Sequence, residues 1–379
     1  MKGKIRNMKI AYYMPFKPMG HPNPSGDLVI GTELFRYFQS RDHEIVLASR
    51  LRCRWLYYRP LAWPKLFFER FRVVRKMRQL QPDVWLSYHS YYKGPDMLGP
   101  WCAARLGIPY VLFQGIYATK YRRRLTTRPG FYLNKKALQA ADTVFTNKQI
   151  DEKNLLRLLP RDKVAFIRPG LKVDRYRFSE TARDRLRASY QCSEEPVLLS
   201  AAMFRPGVKE RGVHEVIRCC GELLAKGARF RLILVGDGAA REKLEQFAGK
   251  TLGDRVSFVG RVERQEMADY YSAADIFVFP GYDEAIGMVY LEAQSCGLPV
   301  VACSEWGGSR VVVDGETGLL SSADCPDDMV RNIETLLNSS DLRNQMSKDA
   351  AAHVEKNHDL AKNYLFMEER LQSLIDDHH

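Results

Sequence analysis

Short apolar runs alternate along the whole chain with segments of helical periodicity, and this alternation constrains the fold more than any other feature. A short apolar run between helical segments is typical of a buried strand in a parallel sheet. The runs fall at residues 9–13, 44–48, 84–88, 110–114, 143–146, 164–167, 197–201, 231–235, 256–259, 276–279 and 300–303. Helices fit between them, for example at Gly31–Arg41, Gly212–Lys226 and Glu284–Cys296. Two successive doubly wound α/β units are therefore predicted.

The length of 379 residues also favours two domains, because a single ordinary core is smaller than this. A Pro-Gly turn gives way to a charged, apolar-poor stretch within Pro169–Arg187. We therefore predict an N-terminal domain over residues 1–175 and a C-terminal domain over residues 176–379. Apolar side chains at helical spacing in Ala361–Leu374 predict a terminal helix over about residues 358–376.

The positive charge is concentrated in the first half. Residues 1–170 carry 32 Lys and Arg against 11 Asp and Glu, whereas the remainder carries 26 against 34. Cations alternate with aromatic rings from Arg50 to Arg78, and a second basic group covers Lys120–Arg124. Such clusters suit an anionic membrane surface or a phosphorylated lipid acceptor. The alternative interpretation is a solvated face over a packed helix. Nucleic acid is not expected, because the sequence contains no recognised nucleic-acid module and its second half is acidic.

Cysteine usage and the shortness of the apolar runs predict a cytoplasmic protein. The eight cysteines form no Cys-x-x-Cys pair and no His cluster accompanies them, so a zinc site is not expected. Cys296 and Cys303 lie in apolar or small-residue surroundings that predict buried, reduced thiols. No apolar run is long enough to span a bilayer, and Ile10–Tyr13 is too short for a signal peptide.

The segment Phe279–Val301 has the order strand, polar loop, helix, glycine stop, proline and strand. If the helix begins at Glu284, Glu292 lies eight residues later, a rotation of about 80° that puts both carboxylates on one side. Paired carboxylates can accept hydrogen bonds from paired hydroxyls. The backbone N–H groups at the helix start, those of Ala285, Ile286, Gly287 and Met288, would suit an anionic phosphate. The alternative is an ordinary amphipathic helix with two solvated glutamates.

This segment resembles the Glu-x7-Glu motif of the retaining glycosyltransferases of the GT-B superfamily, in the family numbered four. The similarity includes Val235–Gly238, Val256–Gly260, Tyr271–Asp275, Trp306–Gly308 and Val313–Leu320. It implies a GT-B fold: two Rossmann-like doubly wound domains facing a central cleft, with the C-terminal helix packing back towards the N-terminal domain. It also implies retaining transfer of a hexose-type sugar from a nucleotide-diphosphate sugar to a hydroxyl acceptor.

The resemblance assigns roles to charged residues of the second half. Glu284 is expected to contact donor-sugar hydroxyls, Glu292 the ribose hydroxyls and Arg205 the diphosphate. The family's lysine partner has two candidates, since Arg211 holds the aligned place and Lys209 lies one insertion away. We count Glu284, Arg205, Arg211 and Lys209 as candidate catalytic residues.

Backbone positions are also expected to bind the donor. The resemblance puts the nucleobase near Gly260, Arg261 and Val262, and the donor near the glycine of the Val235–Gly238 segment, Gly236. No Asp-x-Asp motif occurs, so a metal-independent reaction without a resident cofactor is expected.

The first half departs from the family pattern in places. Ser25 and Gly26 stand where the family has a Gly-Gly loop near the phosphate and acceptor, and a plain turn with a helix cap is the alternative. His89 follows a buried strand and is a candidate catalytic residue, with a structural loop role as the alternative. Gln114 stands where relatives carry a histidine beside the donor sugar, and its amide can bind a hydroxyl but cannot titrate.

The acceptor is expected to be a membrane-associated glycolipid or a growing polysaccharide, used by a protein held peripherally on the inner face of the cell membrane. Two other classes of protein with the same architecture are alternatives. One is a nucleotide-sugar epimerase, and the other is a non-catalytic nucleotide-sugar-binding protein.

Overall fold

The computed structural model describes residues 6–21, 26–192, 194–284 and 286–378. The chain divides into two units, one made of the residues up to Arg168 together with those from Ala361 onward, the other of Pro169–Leu360. Each unit contains one six-stranded parallel sheet. The chain passes from the first unit to the second at residue 168, and the sequence predicted a boundary at residue 175.

The first unit has the strand order β2-β1-β3-β4-β5-β6. Its elements are β1 Lys9–Tyr13, α1 Gly26–Ser40, β2 Glu44–Ser49, α2 Trp63–Leu80, β3 Val84–Ser90, α3 Gly99–Leu106, β4 Tyr110–Gly115, α4 Arg128–Ala140, β5 Thr143–Thr146, α5 Gln149–Leu155 and β6 Val164–Phe166. Every residue of β3 and β4 is buried, because helices on both faces cover a parallel sheet. The strand order reverses between β1 and β3, which is where open α/β sheets bind ligands.

The second unit has the order β12-β11-β10-β7-β8-β9. Its elements are α6 Glu180–Ser189, β7 Val197–Ala201, α7 Val208–Ala225, β8 Arg231–Val235, α8 Arg241–Leu252, β9 Val256–Gly260, α9 Met267–Ala273, β10 Ile276–Val278, α10 Met288–Ser295, β11 Val300–Cys303, β12 Gly318–Ser321, α11 Pro326–Asn338 and α12 Ser340–Asn357. The reversal here lies between β7 and β10. Two doubly wound units confirm the predicted fold class.

All eleven predicted strands are confirmed, each to within two residues at either end. Among the described residues, β12 is the strand that the sequence did not predict. Its two leucines lie between Gly318 and Ser321 and are only partly buried, so they do not stand out as a buried strand. Its place is fixed by pairing with β11, where a Cβ at Gly318 would lie 2.2 Å from the carbonyl oxygen of Val300.

The last helix, α13 Leu360–His378, returns the chain to the first unit, as the resemblance implied. Its buried Glu368 accepts hydrogen bonds from Tyr37 at 2.9 Å and from Arg41 at 3.2 Å. The ring of His43 accepts from the backbone N–H of Met8 through Nδ1, so its Nε2–H donates to Glu368 at 2.9 Å. A carboxylate on the last helix is therefore tied to the turn before β2.

None of the helices in the described part of the chain combines the length and the apolar character that crossing a membrane requires.

Candidate active site

Most of the predicted site residues lie at the carboxyl edge of the second sheet. Because the strands are parallel, the loops after β7, β8, β9, β10 and β11 all leave at the same edge. Arg205 follows β7, and Glu284 follows β10. These two strands are neighbours at the point where the strand order reverses, so the topology brings the two loops together.

Lys209 and Glu284 form an ion pair across these loops. Lys209 lies in the first turn of α7, and its Nζ donates to Oε2 of Glu284. The side chains are 28% and 27% exposed, so the pair is partly shielded and still accessible. The same ammonium lies 5.2 Å from the ring centroid of Phe279. Arg211 points elsewhere, with its guanidinium carbon 5.1 Å from the ring centroid of Tyr282.

The predicted start of the helix at Glu284 is wrong. Helix α10 begins at Met288, and Glu284 lies in the preceding loop, where its N–H donates to the carbonyl oxygen of Gly281 at 2.9 Å. Gly281 and Gly287 both have positive φ, 68° and 76°, a left-handed conformation that breaks a helix. Asp283 also has positive φ, 53°. The two glutamates therefore do not share one helix face, and the helix-start N–H groups begin at Met288 instead of Ala285.

Ala285 lies outside the described residues, while Ile286 and Gly287 belong to the loop. Gly307 packs directly on this loop, since a Cβ there would lie 3.0 Å from the backbone N of Gly287 and 3.1 Å from the carbonyl oxygen of Glu284. The glycines of the Trp306–Gly308 segment thus allow a close backbone approach that holds the loop of Glu284.

Glu292 lies on α10 and is buried at 9% exposure. Its Oε1 accepts from the hydroxyl of Tyr176 and its Oε2 from the hydroxyl of Tyr271, both at 3.0 Å. Burial raises the pKa of Glu292, and the Tyr271 hydrogen bond and the nearby charge of Arg264 oppose that rise. An ionised carboxylate has about four acceptor positions, so two hydroxyls of a ligand could still be accommodated.

The sequence did not identify Tyr176 and Tyr271 as partners of Glu292. Tyr176 is 116 residues away in the chain, and no local pattern pairs residues at that distance. Arg264 extends the network, because its Nε donates to the Tyr176 hydroxyl at 3.2 Å.

The loop of Arg205 is fixed by the neighbouring loop after β8. The N–H of Phe204 donates to the carbonyl oxygen of Asp237 at 3.0 Å, and the N–H of Ala240 donates back to Phe204 at 2.9 Å. Gly236 makes this contact possible, since its φ is 147° and a Cβ would lie 1.8 Å from the carbonyl oxygen of Ala202. The guanidinium of Arg205 is exposed and has no side-chain partner within the described residues. It is therefore available to an anion.

The residues predicted to surround a nucleobase lie at the end of β9. Gly260 accepts a hydrogen bond from the N–H of Gly236 at 2.8 Å, which joins the ends of β8 and β9. Arg261 follows with a side chain that is 81% exposed, and Val262 is partly buried. Their role in binding a base stays a prediction.

The first unit carries two of the predicted residues at the carboxyl ends of adjacent central strands. His89 and Gln114 are both buried, and both are left-handed, with φ of 65° and 61°. This conformation costs a non-glycine residue roughly 1–2 kcal/mol. The ring of His89 lies 5.3 Å from Phe16 and 5.0 Å from Tyr91, centroid to centroid. Ser25 lies outside the described residues, and Gly26 begins α1.

Within the described residues, no group of three or more His, Cys, Asp and Glu side chains could hold a metal ion. The predicted burial of Cys296 and Cys303 is confirmed, and burial raises the pKa of the Cys303 thiol to about 12.

Comparison with known proteins adds a family match over much of the second unit. The sequence model described as "Glycosyl transferases group 1" matches residues 183–353. A D-inositol 3-phosphate glycosyltransferase of Catenulispora acidiphila is 31% identical over 302 residues, which cover 75% of this chain and 70% of that protein. An alpha-D-kanosaminyltransferase of Streptomyces kanamyceticus is 26% identical over 293 residues, covering 74% and 75%.

Solved structures share the fold at lower sequence identity. HepE of Anabaena in complex with UDP has a TM-score of 0.74 at 17% identity, covering 97% of this chain and all of that one. A glycosyltransferase of Rickettsia africae has a TM-score of 0.72 at 14% identity, covering 97% and 99%. At these identities the likeness concerns the fold alone.

Proposed function

The chain belongs to the family of group 1 glycosyl transferases, and on this basis we propose that it transfers a hexose-type sugar from a nucleotide-diphosphate sugar to a hydroxyl acceptor. The observation that carries the proposal is the cationic and acidic group at the carboxyl edge of the second sheet. There Lys209 is paired with Glu284, and the guanidinium of Arg205 is available on the adjoining loop. Crystal structures of HepE, which has the same fold, contain UDP and UDP-glucose.

In the proposed reaction, Arg205 and Lys209 bind the donor diphosphate. Charge-assisted hydrogen bonds from these cations stabilise the negative charge that develops on the leaving diphosphate. Side-chain cations, instead of a metal ion, carry this role in the proposal. Glu284 then accepts from hydroxyls of the donor sugar, and Glu292 accepts from the ribose hydroxyls through the acceptor positions that the tyrosines leave.

We further propose that the anomeric configuration is retained. The bond between the anomeric carbon and the diphosphate oxygen breaks, and the acceptor oxygen bonds to that carbon on the same face. The acceptor proton passes to the departing phosphate oxygen, so no protein base is required. NMR analysis of the product tests this step, and an inverted anomeric centre would contradict it.

Donor binding is tested by thermal shift across UDP, GDP, ADP and their glucose conjugates. A ligand at 100 times its Kd stabilises the folded protein by about 2.7 kcal/mol, which raises the melting temperature by several degrees. We expect one nucleotide to give this shift with the wild-type protein. If no nucleotide shifts the melting temperature, the proposal fails. Hydrolysis of the bound donor in the absence of acceptor separates a transferase from a non-catalytic binding protein.

We propose that the acceptor is a membrane-associated glycolipid or polysaccharide and that the protein binds the inner membrane surface peripherally. Helix α2 supports this, since it exposes Phe67, Phe68 and Phe71 at 54%, 77% and 62% beside several cations. Apolar side chains flanked by Lys and Arg are the pattern of interfacial helices. Sedimentation with anionic liposomes tests the proposal, and binding that does not weaken with salt would contradict it.

A further inference from the structure

The first unit contains a cavity of about 1090 Å³ to which the proposed reaction assigns no role. It is formed by the end of β2, the loop that follows and one face of α2. The cations that line it are Arg50, Arg52, Arg54, Arg59, Lys65, Arg72 and Lys76. Among the described lining residues, Glu69 is the single acidic side chain.

Glu69 is already neutralised. Its Oε2 accepts from Nε of Arg72 at 2.7 Å, and its Oε1 accepts from the hydroxyl of Ser49. The Arg72 hydrogen bond accordingly holds the pKa of Glu69 below its ordinary value. The lining therefore keeps a large excess of positive charge after this pair is subtracted.

Most of the remaining cations form no ion pair among the described residues, although the charge of Lys65 also lowers the pKa of Glu69. Arg54, Arg59 and Lys65 make no ion pair there. Burial and the charges of Arg54 and Arg59 lower the pKa of Arg52, which means that like charges face one another in the cavity. Arg52 is also held in place, since its Nε donates to the carbonyl oxygen of Phe16 at 3.2 Å. Cations that repel one another, with Arg52 among them fixed, form a site for an anion with more than one charge.

Helix α2 connects this cavity to an apolar surface. At about 100° per residue, three stripes follow from its sequence. The buried stripe contains Leu66, Val73, Val74 and Met77. The stripe that lines the basic cavity contains Lys65, Glu69, Arg72 and Lys76. The third stripe lines an apolar groove of about 540 Å³ and, with the residues just before it, contains Pro60, Trp63, Pro64, Phe67, Phe68 and Phe71.

We propose that the basic cavity binds the phosphate or diphosphate headgroup of a lipid-linked acceptor and that the lipid chain lies along the aromatic stripe of α2. The inference rests on the proposed function, because it names the class of acceptor for that transfer. The charge complementarity selects a phosphorylated headgroup, and the adjoining exposed aromatic side chains select an apolar chain. A water-soluble polyanion would use the cations and leave the aromatic stripe unused.

The test measures headgroup discrimination with phosphatidylcholine vesicles that contain either phosphatidic acid, a phosphomonoester, or phosphatidylglycerol, a phosphodiester, matched in surface potential. We expect tighter binding of the wild-type protein to phosphatidic acid. The double variant Arg54→Ser/Lys65→Ser should bind phosphatidic acid vesicles about 25-fold more weakly, at roughly fivefold per cation. Both residues are exposed, so the variant should fold normally.

The matched control is Arg75→Ser/Arg78→Ser, which removes two exposed cations of α2 that do not line the cavity. This variant should bind both vesicles more weakly and keep the preference for phosphatidic acid. Equal binding of the wild type to the two vesicles would overturn the inference, as would a preference that survives Arg54→Ser/Lys65→Ser.

Two further measurements separate related outcomes. Inorganic pyrophosphate should compete with phosphatidic acid vesicles, and if it binds while the vesicles do not, the ligand is soluble and the lipid assignment is wrong. The nucleotide thermal shift of the same preparations reports on the proposed function independently. A wild-type protein that keeps the nucleotide shift but does not discriminate between the vesicles contradicts the role of the basic cavity and leaves the proposed donor binding intact.

Discussion

The ion pair between Lys209 and Glu284 is better explained by function than by a contribution to stability. Neither side chain is far enough from water for the pair to be a major source of stability, because partly exposed pairs contribute little. Both groups instead lie at the edge where the sheet order reverses, next to an arginine that has no side-chain partner in the described part of the chain. The arrangement suits a diphosphate that competes for the ammonium while the carboxylate turns to sugar hydroxyls.

Lys209→Ala is therefore expected to lower kcat with the preferred nucleotide sugar by about 10²–10³, the usual cost of losing one group that stabilises developing negative charge. Stability should change little. Lys226→Ala removes a lysine at the opposite end of the same helical segment, where it is paired with Glu334 at 3.7 Å, and should leave kcat unchanged. Steady-state kinetics of both variants measure this difference in kcat. If Lys209→Ala and Lys226→Ala have equal kcat values, Lys209 does not act on the donor.

Glu292 is a second residue whose environment predicts a measurement. Its pKa is raised above the ordinary value of 4.5 by burial, so the folded state holds the proton more tightly than the unfolded state. Its contribution to stability is then greatest below pH 4.5 and is lost as the pH rises through the raised pKa, by at most about 1.4 kcal/mol per pH unit.

Glu292→Gln should accordingly gain stability relative to the wild type between pH 4 and pH 7, although its donor affinity should fall. Urea unfolding across this range measures the difference. The exposed Glu369→Gln serves as the control and should show no such slope. A difference that is constant with pH would mean that Glu292 is not penalised by burial.

At the scale of elements, the loops after β7 and β8 act as one structure because two glycines let them touch. Gly236 and Gly238 have φ of 147° and 153°, and a Cβ on either would meet backbone atoms of Ala202 or Phe204 within 2.5 Å. Backbone atoms cannot move aside as a flexible side chain can. The position of Arg205 thus depends on glycines that are more than 30 residues away in the chain.

Gly236→Ala should destabilise the protein by about 3 kcal/mol or more, because the strain at this φ adds to the backbone clash. Gly249→Ala is the matched control in α8, where a Cβ would meet nothing within 4 Å and the position is exposed. It should stabilise by roughly 0.5–1 kcal/mol. Chemical denaturation compares the two, and a neutral Gly236→Ala would show that the two loops can separate without cost.

At the scale of the whole molecule, the first unit is assembled from two separated parts of the chain. The last helix is held there by Glu368, which is 1% exposed and accepts from Tyr37, Arg41 and His43. Three donors on a buried carboxylate make this one of the stronger links in the unit. Folding of the first unit therefore depends on residues that follow the entire second unit.

Glu368→Ala should lower the free energy of unfolding by about 3 kcal/mol, because removing one partner of a buried network leaves the other groups without compensation. The adjacent Glu369 is exposed, and Glu369→Ala should change stability by less than about 0.5 kcal/mol. Urea unfolding of the two variants is the measurement. Equal stabilities would mean that the last helix is held mainly by its apolar face.

Sequence alone determined what depends on local chemistry. Eleven strands, two doubly wound units and the carboxyl-edge positions of Arg205 and Glu284 follow from apolar runs and from the geometry of parallel sheets. The choice of Glu284 as a site residue also came from a motif that is local in the chain.

The tertiary structure decided whatever depends on distant neighbours. It paired Lys209 with Glu284, moved the start of the expected helix from Glu284 to Met288, and paired Glu292 with Tyr176 and Tyr271. It also created β12 by pairing with β11. All four features have the same physical reason. They depend on contacts between segments that are distant in the chain, and the periodicity of a single segment does not encode those contacts.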